Sequence, residues 1–178
     1  MLKKIALIVT STALAALTAH AQTNSAAAAP NDAQIAMIAV VADSVDIDAG
    51  KMAAQKATSK EVKEFAETMV RDHTAVNAKA TALAKKLGVT PEESATSKGL
   101  KADGDKMMAK LKQLSGAEFD KAYVDNEVSY HAAVIGVVTN TLIPNTKNAE
   151  LKSLLESAGP IFTSHLEHAK QLQKSLNK

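Results

Sequence analysis

Residues 58–87 read TSKEVKEFAETMVRDHTAVNAKATALAKKL, and the spacing of their apolar positions decides the fold. Val62, Phe65, Ala66, Met69, Val76, Ala80, Leu83 and Leu87 recur at helical intervals, which predicts one long amphipathic helix. His73 falls in the middle of that stripe, where an aliphatic residue would be expected. Thr58 with Glu61 offers a capping box at the start, and Gly88 can take the left-handed position at the end. The segment is therefore a helix that turns a histidine inward.

Outward from this stretch the same arrangement repeats. A first helix is expected over Asp32–Ala57, with Ile35, Ile38, Ala42, Ala49 and Ala53 inside and Asp46 on the same side. Asp43 and Asp48 read as solvated, and the short break near Lys56–Ser59 predicts an antiparallel hairpin with the second helix. Thr90-Pro91-Glu92-Glu93 reads as a further start signal. Gly99 and Gly104 interrupt the segment after it, so Pro91–Leu114 is expected to form one or two short helices that cross to the far end of the bundle. Ser115-Gly116-Ala117-Glu118 is another capping box, opening a helix to about Leu142, before Pro144, with Glu127 and His131 one turn apart on its inner stripe. The last helix starts between Asn145 and Asn148 and runs to about Leu176 with His165 inside and a kink at Pro160. Taken together, the chain is read as an all-α, antiparallel four-helix bundle with an extra helical segment in its central crossover.

The start of the chain has a different character. Lys3 and Lys4 precede an apolar run from Ile5 to Leu17, and Ala19-His20-Ala21 supplies a cleavage site, so residues 1–21 read as a signal peptide. At about 13 residues the run is short of the roughly 20 that span a membrane, and no later stretch matches it. A flexible, alanine-rich leader (22–31) would precede the bundle domain (32–178), and the mature chain would lie in the periplasm, where association with the outer membrane is compatible with the signal. There are no cysteines, which rules out disulfides, thiolate chemistry and a lipid-attachment cysteine. Without Lys3 and Lys4 the formal charge falls from +2 to about zero, and no basic run is left to recommend nucleic acid as a partner. An apolar stripe on the outside of Pro91–Leu114, blurred by its glycines, would point to a homodimer.

Once residues 1–21 are set aside the histidines are His73, His131, His165 and His168, all on or beside inner stripes of three different helices. Asp46, Asp72 and Glu127 stand close enough in register to join them, and helical bundles build metal sites from inward side chains on facing helices. His168 is the weakest of the set, because Ala169 and Leu172 can bury the helix with His168 at its edge. The same residues also fit a metal-free network of paired histidines and carboxylates. Other chemistry fails on inspection. Asp46-Ile47-Asp48-Ala49-Gly50 has its glycine one place early for a calcium loop, Asp105 stands where a phosphate loop needs lysine, and Ser129 lacks an elbow. Scattered methionines (Met37, Met52, Met69, Met107, Met108) suit a core better than a copper(I) site. No enzymatic activity follows from these residues.

Three strings carry a family resemblance: Glu61 to His73, Phe119-Asp120-Lys121-Ala122-Tyr123 leading to His131, and Pro160 leading to His165-Leu166. With the Asp46–Ala53 segment, they resemble the exported bacterial family catalogued as domain of unknown function 4142. The resemblance implies a ferritin-like bundle without an established activity, with Asp72, His73, His131 and His165 in the family's pattern. Val70, Val128 and Phe162 stand where di-iron bundles place a glutamate three residues before each ligand histidine. A bridged di-iron pair is accordingly disfavoured, and a single zinc, copper, nickel or iron ion is the expectation. The competing expectation is a metal-free structural or stress-related envelope protein; an oxidoreductase ranks behind both.

Overall fold

The computed structural model describes residues 29–178, so the expected signal peptide and most of the leader lie outside the described residues. The described chain is helical: α1 (Asp32–Lys56), α2 (Lys60–Lys86), α3 (Ala95–Gln113), α4 (Gly116–Val137), the three-residue α5 (Ile143–Asn145) and α6 (Ala149–Leu176). A five-residue π-helical turn, Val138–Leu142, joins α4 to α5. None of these helices is long and apolar enough to cross a membrane.

Side chains at the helix ends explain where each begins. Asn31 and Gln34 cap α1 reciprocally, and Asn148 accepts from the backbone of Glu150 and Leu151 at the start of α6. Two expected starts move. Helix α2 is capped by Ser59, not Thr58, because Thr58 is taken by a distant carboxylate: Asp120 on α4 accepts from its backbone N–H (2.9 Å) and its hydroxyl (2.6 Å). Helix α3 starts at Ala95, past Pro91, because Ser94 and Ser97 form the reciprocal cap there. Ser115 precedes α4 as expected but makes no side-chain cap bond. Gly88 takes the left-handed conformation at φ 63°.

Tertiary pins fix the direction of every helix. Lys56 at the end of α1 donates to the carbonyls of Leu111 (3.0 Å) and Lys112 (2.7 Å) at the end of α3, so these two helices run the same way. At the other end Asp32 accepts from the backbone of Lys147 and Asn148, both at 2.8 Å, which places the start of α6 beside the start of α1. Thus α1, α3 and α6 run in one direction, α2 and α4 in the other. This is a ferritin-like bundle of α1, α2, α4 and α6, with α3 as its crossover.

Of the one or two helices expected over this segment there is one, α3, of 19 residues and continuous through Gly99 and Gly104. Its glycines have different roles. A Cβ on Gly104 would stand 2.7 Å from the Val45 side chain, so this glycine lets α3 lie against α1, whereas a Cβ on Gly99 would meet nothing within 4 Å. Gly104→Ala should therefore lower stability by roughly 1–3 kcal/mol through overpacking against a stiff valine. Gly99→Ala should raise it by roughly 0.5–1 kcal/mol through helix propensity alone. Urea titration of both variants checks the opposite signs.

The helix expected to stop before Pro144 instead passes through it. Proline has no N–H to give the carbonyl four residues back, and the π turn immediately before it widens the backbone at that point. Pro160 likewise lies inside an unbroken α6. Packed apolar side chains form two layers. One, around Phe65, Met69, Phe119 and Tyr123, lies toward the α1–α2 turn; the other, around Ile35, Ile38, Leu142 and Leu155, lies toward the opposite end. Polar side chains are sandwiched between them.

Candidate metal centre

Four helices contribute to that polar layer. Helix α1 gives Asp43 and Asp46, α2 gives His73, α4 gives Glu127 and His131, and α6 gives His165; all six are buried, Glu127 completely. Spacings of three and four residues put each pair on one helix face.

The three histidines are oriented in the same manner. His73 Nδ1 donates to Asp43 Oδ1 at 2.8 Å. His131 Nδ1 donates to the backbone carbonyl of Glu127 at 3.1 Å, and His165 Nε2 donates to Asp72 Oδ2 at 3.0 Å. Each ring thus has one nitrogen held by oxygen, which leaves the other available as a ligand. Metal-ligating histidines have this arrangement, with the second nitrogen bound to a carboxylate or carbonyl.

The remaining nitrogens converge. Nε2 of His73 stands 3.4 Å from Nε2 of His131, and Asp46 Oδ2 stands 3.1 Å from the first and 3.5 Å from the second. A point equidistant from the three lies about 1.9 Å from each, close to the roughly 2.0–2.2 Å of zinc–nitrogen and zinc–oxygen bonds. His165 brings a ring nitrogen within 4.8 Å of those of His73 and His131, and its Nδ1 is buried without a partner. Asp46, Glu127 and His131 form a second group of the same tightness. Asp46 Oδ1 and both Glu127 oxygens are also buried and make no hydrogen bond, although Glu127 Oε2 stands 3.4 Å from His131 Nδ1. Orphaned buried acceptors of this kind are expensive unless a cation or proton joins them, and the donor set of imidazole and carboxylate fits a divalent transition ion.

Electrostatics follow from burial. Burial and the neighbouring Glu127 push the Asp46 carboxyl well above the usual carboxylate range, and burial raises Glu127 to about 7. Asp43 is raised by burial against the pull of His73. Burial depresses His165 to about 4, in spite of its bond to Asp72. Arg71 and then His165 lower Asp72, which is the partly exposed member.

A pH dependence is implied for the metal-free chain. Stability from the raised Glu127 is full below its unfolded value near 4.5 and is lost as pH rises through about 7. His165 acts oppositely, with stability lost as pH falls from 6.5 through about 4, so the two offset between roughly pH 4.5 and 6.5. Above that window the loss from the raised Glu127 is no longer offset by His165. The urea midpoint should fall between about pH 6.5 and 8, and Glu127→Gln should flatten the fall.

Several residues sit differently from their sequence reading. Asp43, expected in solvent, is 3% exposed and orients His73. Small apolar residues surround α1 on most sides, so polarity could not mark its outer face, although the three-residue spacing from Asp46 was available as a signal. Asp48 is exposed as expected. Asp72 supports His165 from behind, at the rim of the centre. His168 is exposed and sets its ring at 83° to Phe65, with centroids 5.1 Å apart; Ala169 takes the inner position. Phe162 stacks on His73 at 5.1 Å and 7°, closing the centre from the side of α6.

A family model, domain of unknown function (DUF4142), matches residues 17–172. The chain belongs to that family. No curated protein matches it. Among solved structures, CopM in the Cu(II)-bound form is similar in fold, with a TM-score of 0.66 and 18% sequence identity over 83% of this chain and 98% of that one. That fold agrees with the bundle described above, and at that identity the likeness speaks for the fold alone.

Proposed function

We propose that this chain is an exported metal-binding bundle that holds a single transition-metal ion and buffers it without catalysing a reaction. His73, His131 and His165 serve as ligands, with Asp46 or Glu127 completing the shell. Asp43 and Asp72 orient two of the rings from outside. The observation that supports this most is that each of the three histidines has one nitrogen tied to oxygen, while ring nitrogens of all three converge within 4.8 Å. Copper and zinc suit the donor set, and copper is the ion that CopM, the similar fold, holds in its Cu(II)-bound form. The proposed place is the periplasm, on the strength of Lys3-Lys4, the apolar run and Ala19-His20-Ala21.

Elemental analysis of untagged protein purified without chelator tests this, beside a His73→Ala/His131→Ala double variant. About one ion per chain in the wild type and none in the variant is the expected result. Wild-type protein that carries no metal and takes up no added zinc, copper or iron would overturn the proposal. A metal-free network would then stand, since His73 already finds Asp43 and Asp46 without an ion.

A further inference from the structure

Between the polar layer and the Asp32 end of α1 the bundle leaves an apolar pocket of about 80 Å³, partly open to solvent beside the exposed Ala133. Its wall comes from the inner faces of α1, α2, α4 and α6, with Leu100 of α3. Alanines create it. Ala39, Ala42, Ala80, Ala133 and Ala158 all line the space, where leucines would fill it.

The chemistry of the wall is almost wholly apolar. Its polar side chains are Asp43 and Tyr130, and both are engaged: Asp43 Oδ1 accepts from His73, and the Tyr130 hydroxyl donates to the Ala42 carbonyl at 2.9 Å. A buried water needs two to four polar partners, and cavities lined by Leu, Ile and Phe stay dry and take up apolar guests. Size narrows the guest. A cavity of about 150 Å³ holds benzene, so about 80 Å³ suits a molecule of a few heavy atoms, smaller than benzene. Position adds a consequence, because Phe162 belongs to the wall and also stacks on His73.

We propose that this cavity binds a small apolar gas molecule, in the size class of dioxygen, seated against the Phe162–His73 stack. The site is independent of whether the centre holds a metal. Methyl-resolved NMR of the metal-free chain under increasing xenon pressure tests it. Saturable shifts are expected at methyls of Val134, Val138 and Leu155, and Ala42→Leu and Ala158→Leu should each reduce them at least twofold. Should either leucine variant fail to fold, Ala80→Val makes a smaller addition to the same wall. Dissolved dioxygen should enhance relaxation most at the same methyls, and benzene should leave them unmoved. Absence of saturable xenon shifts in the wild type would overturn the proposal, as would shifts undiminished in every filled variant. Dioxygen relaxation without a local maximum, or benzene occupying the cavity, would overturn the assigned class of ligand.

Discussion

A His131→Ala chain should bind zinc or copper at least 100-fold more weakly than the wild type, a larger loss than the roughly 10–100-fold that follows removal of an outer-shell partner. His131 is the hinge of the centre: its Nε2 faces both His73 Nε2 and Asp46 Oδ2, and the residue belongs to both groups of converging donors. Removing it leaves His73 and His165 on two helices with no donor from α4 at their level except Glu127. Ion binding to the native state alone stabilises by about 2.7 kcal/mol at a hundredfold excess over Kd, which for a chain of this size raises Tm by roughly 5–11 °C. Thermal melts with and without zinc should show that rise in the wild type and at most about a sixth of it in His131→Ala. Asp43→Asn distinguishes an orienting role from a packing role. It should weaken the ion by roughly 10–100-fold, whereas an Asp43 that merely packs would leave the affinity where it was.

Much of this arrangement is legible in the chain itself, and the reasons differ from helix to helix. Helices α2 and α6 have clear apolar stripes, so His73 and His165 could be placed inward by period alone. In α1 the contrast is missing. Alanines and valines surround it, and polarity alone did not separate Asp43, buried against His73, from Asp48 in solvent; only the three-residue spacing of Asp43 from Asp46 does so. Boundaries failed where a side chain from far along the chain decides them. Thr58 looks like a cap until Asp120 claims its N–H and hydroxyl. Gly104 looks like an interruption until Val45 is found against it. Both are long-range facts, and local propensity has no access to them.

Asp120→Ala should lower stability by about 3 kcal/mol, or Tm by roughly 6–12 °C, the largest expected effect outside the centre. Its carboxylate is 2% exposed and accepts from the backbone of Thr58 and Ser59 and from the Thr58 hydroxyl, at 2.9, 2.8 and 2.6 Å. Charge-assisted bonds of this kind are worth roughly 1.5–3 kcal/mol each, less when water can replace the acceptor. Water can reach Thr58, which is exposed, so the three bonds will not sum in full. A negative charge at the start of α2 also favours its dipole. Asp120→Asn should recover part of the loss, since it keeps one acceptor but turns an amide donor toward backbone N–H groups. A Thr58→Val/Asp120→Ala double-mutant cycle would isolate the hydroxyl bond. Because Asp120 belongs to the apolar layer by the α1–α2 turn and contributes no donor to the centre, the Asp120→Ala chain should still take up one ion below its melting temperature. That result would separate the two kinds of loss, since a His131→Ala chain that melts high yet binds nothing has lost ligands, and an Asp120→Ala chain that melts low yet binds fully has lost only the tie between α4 and the first hairpin.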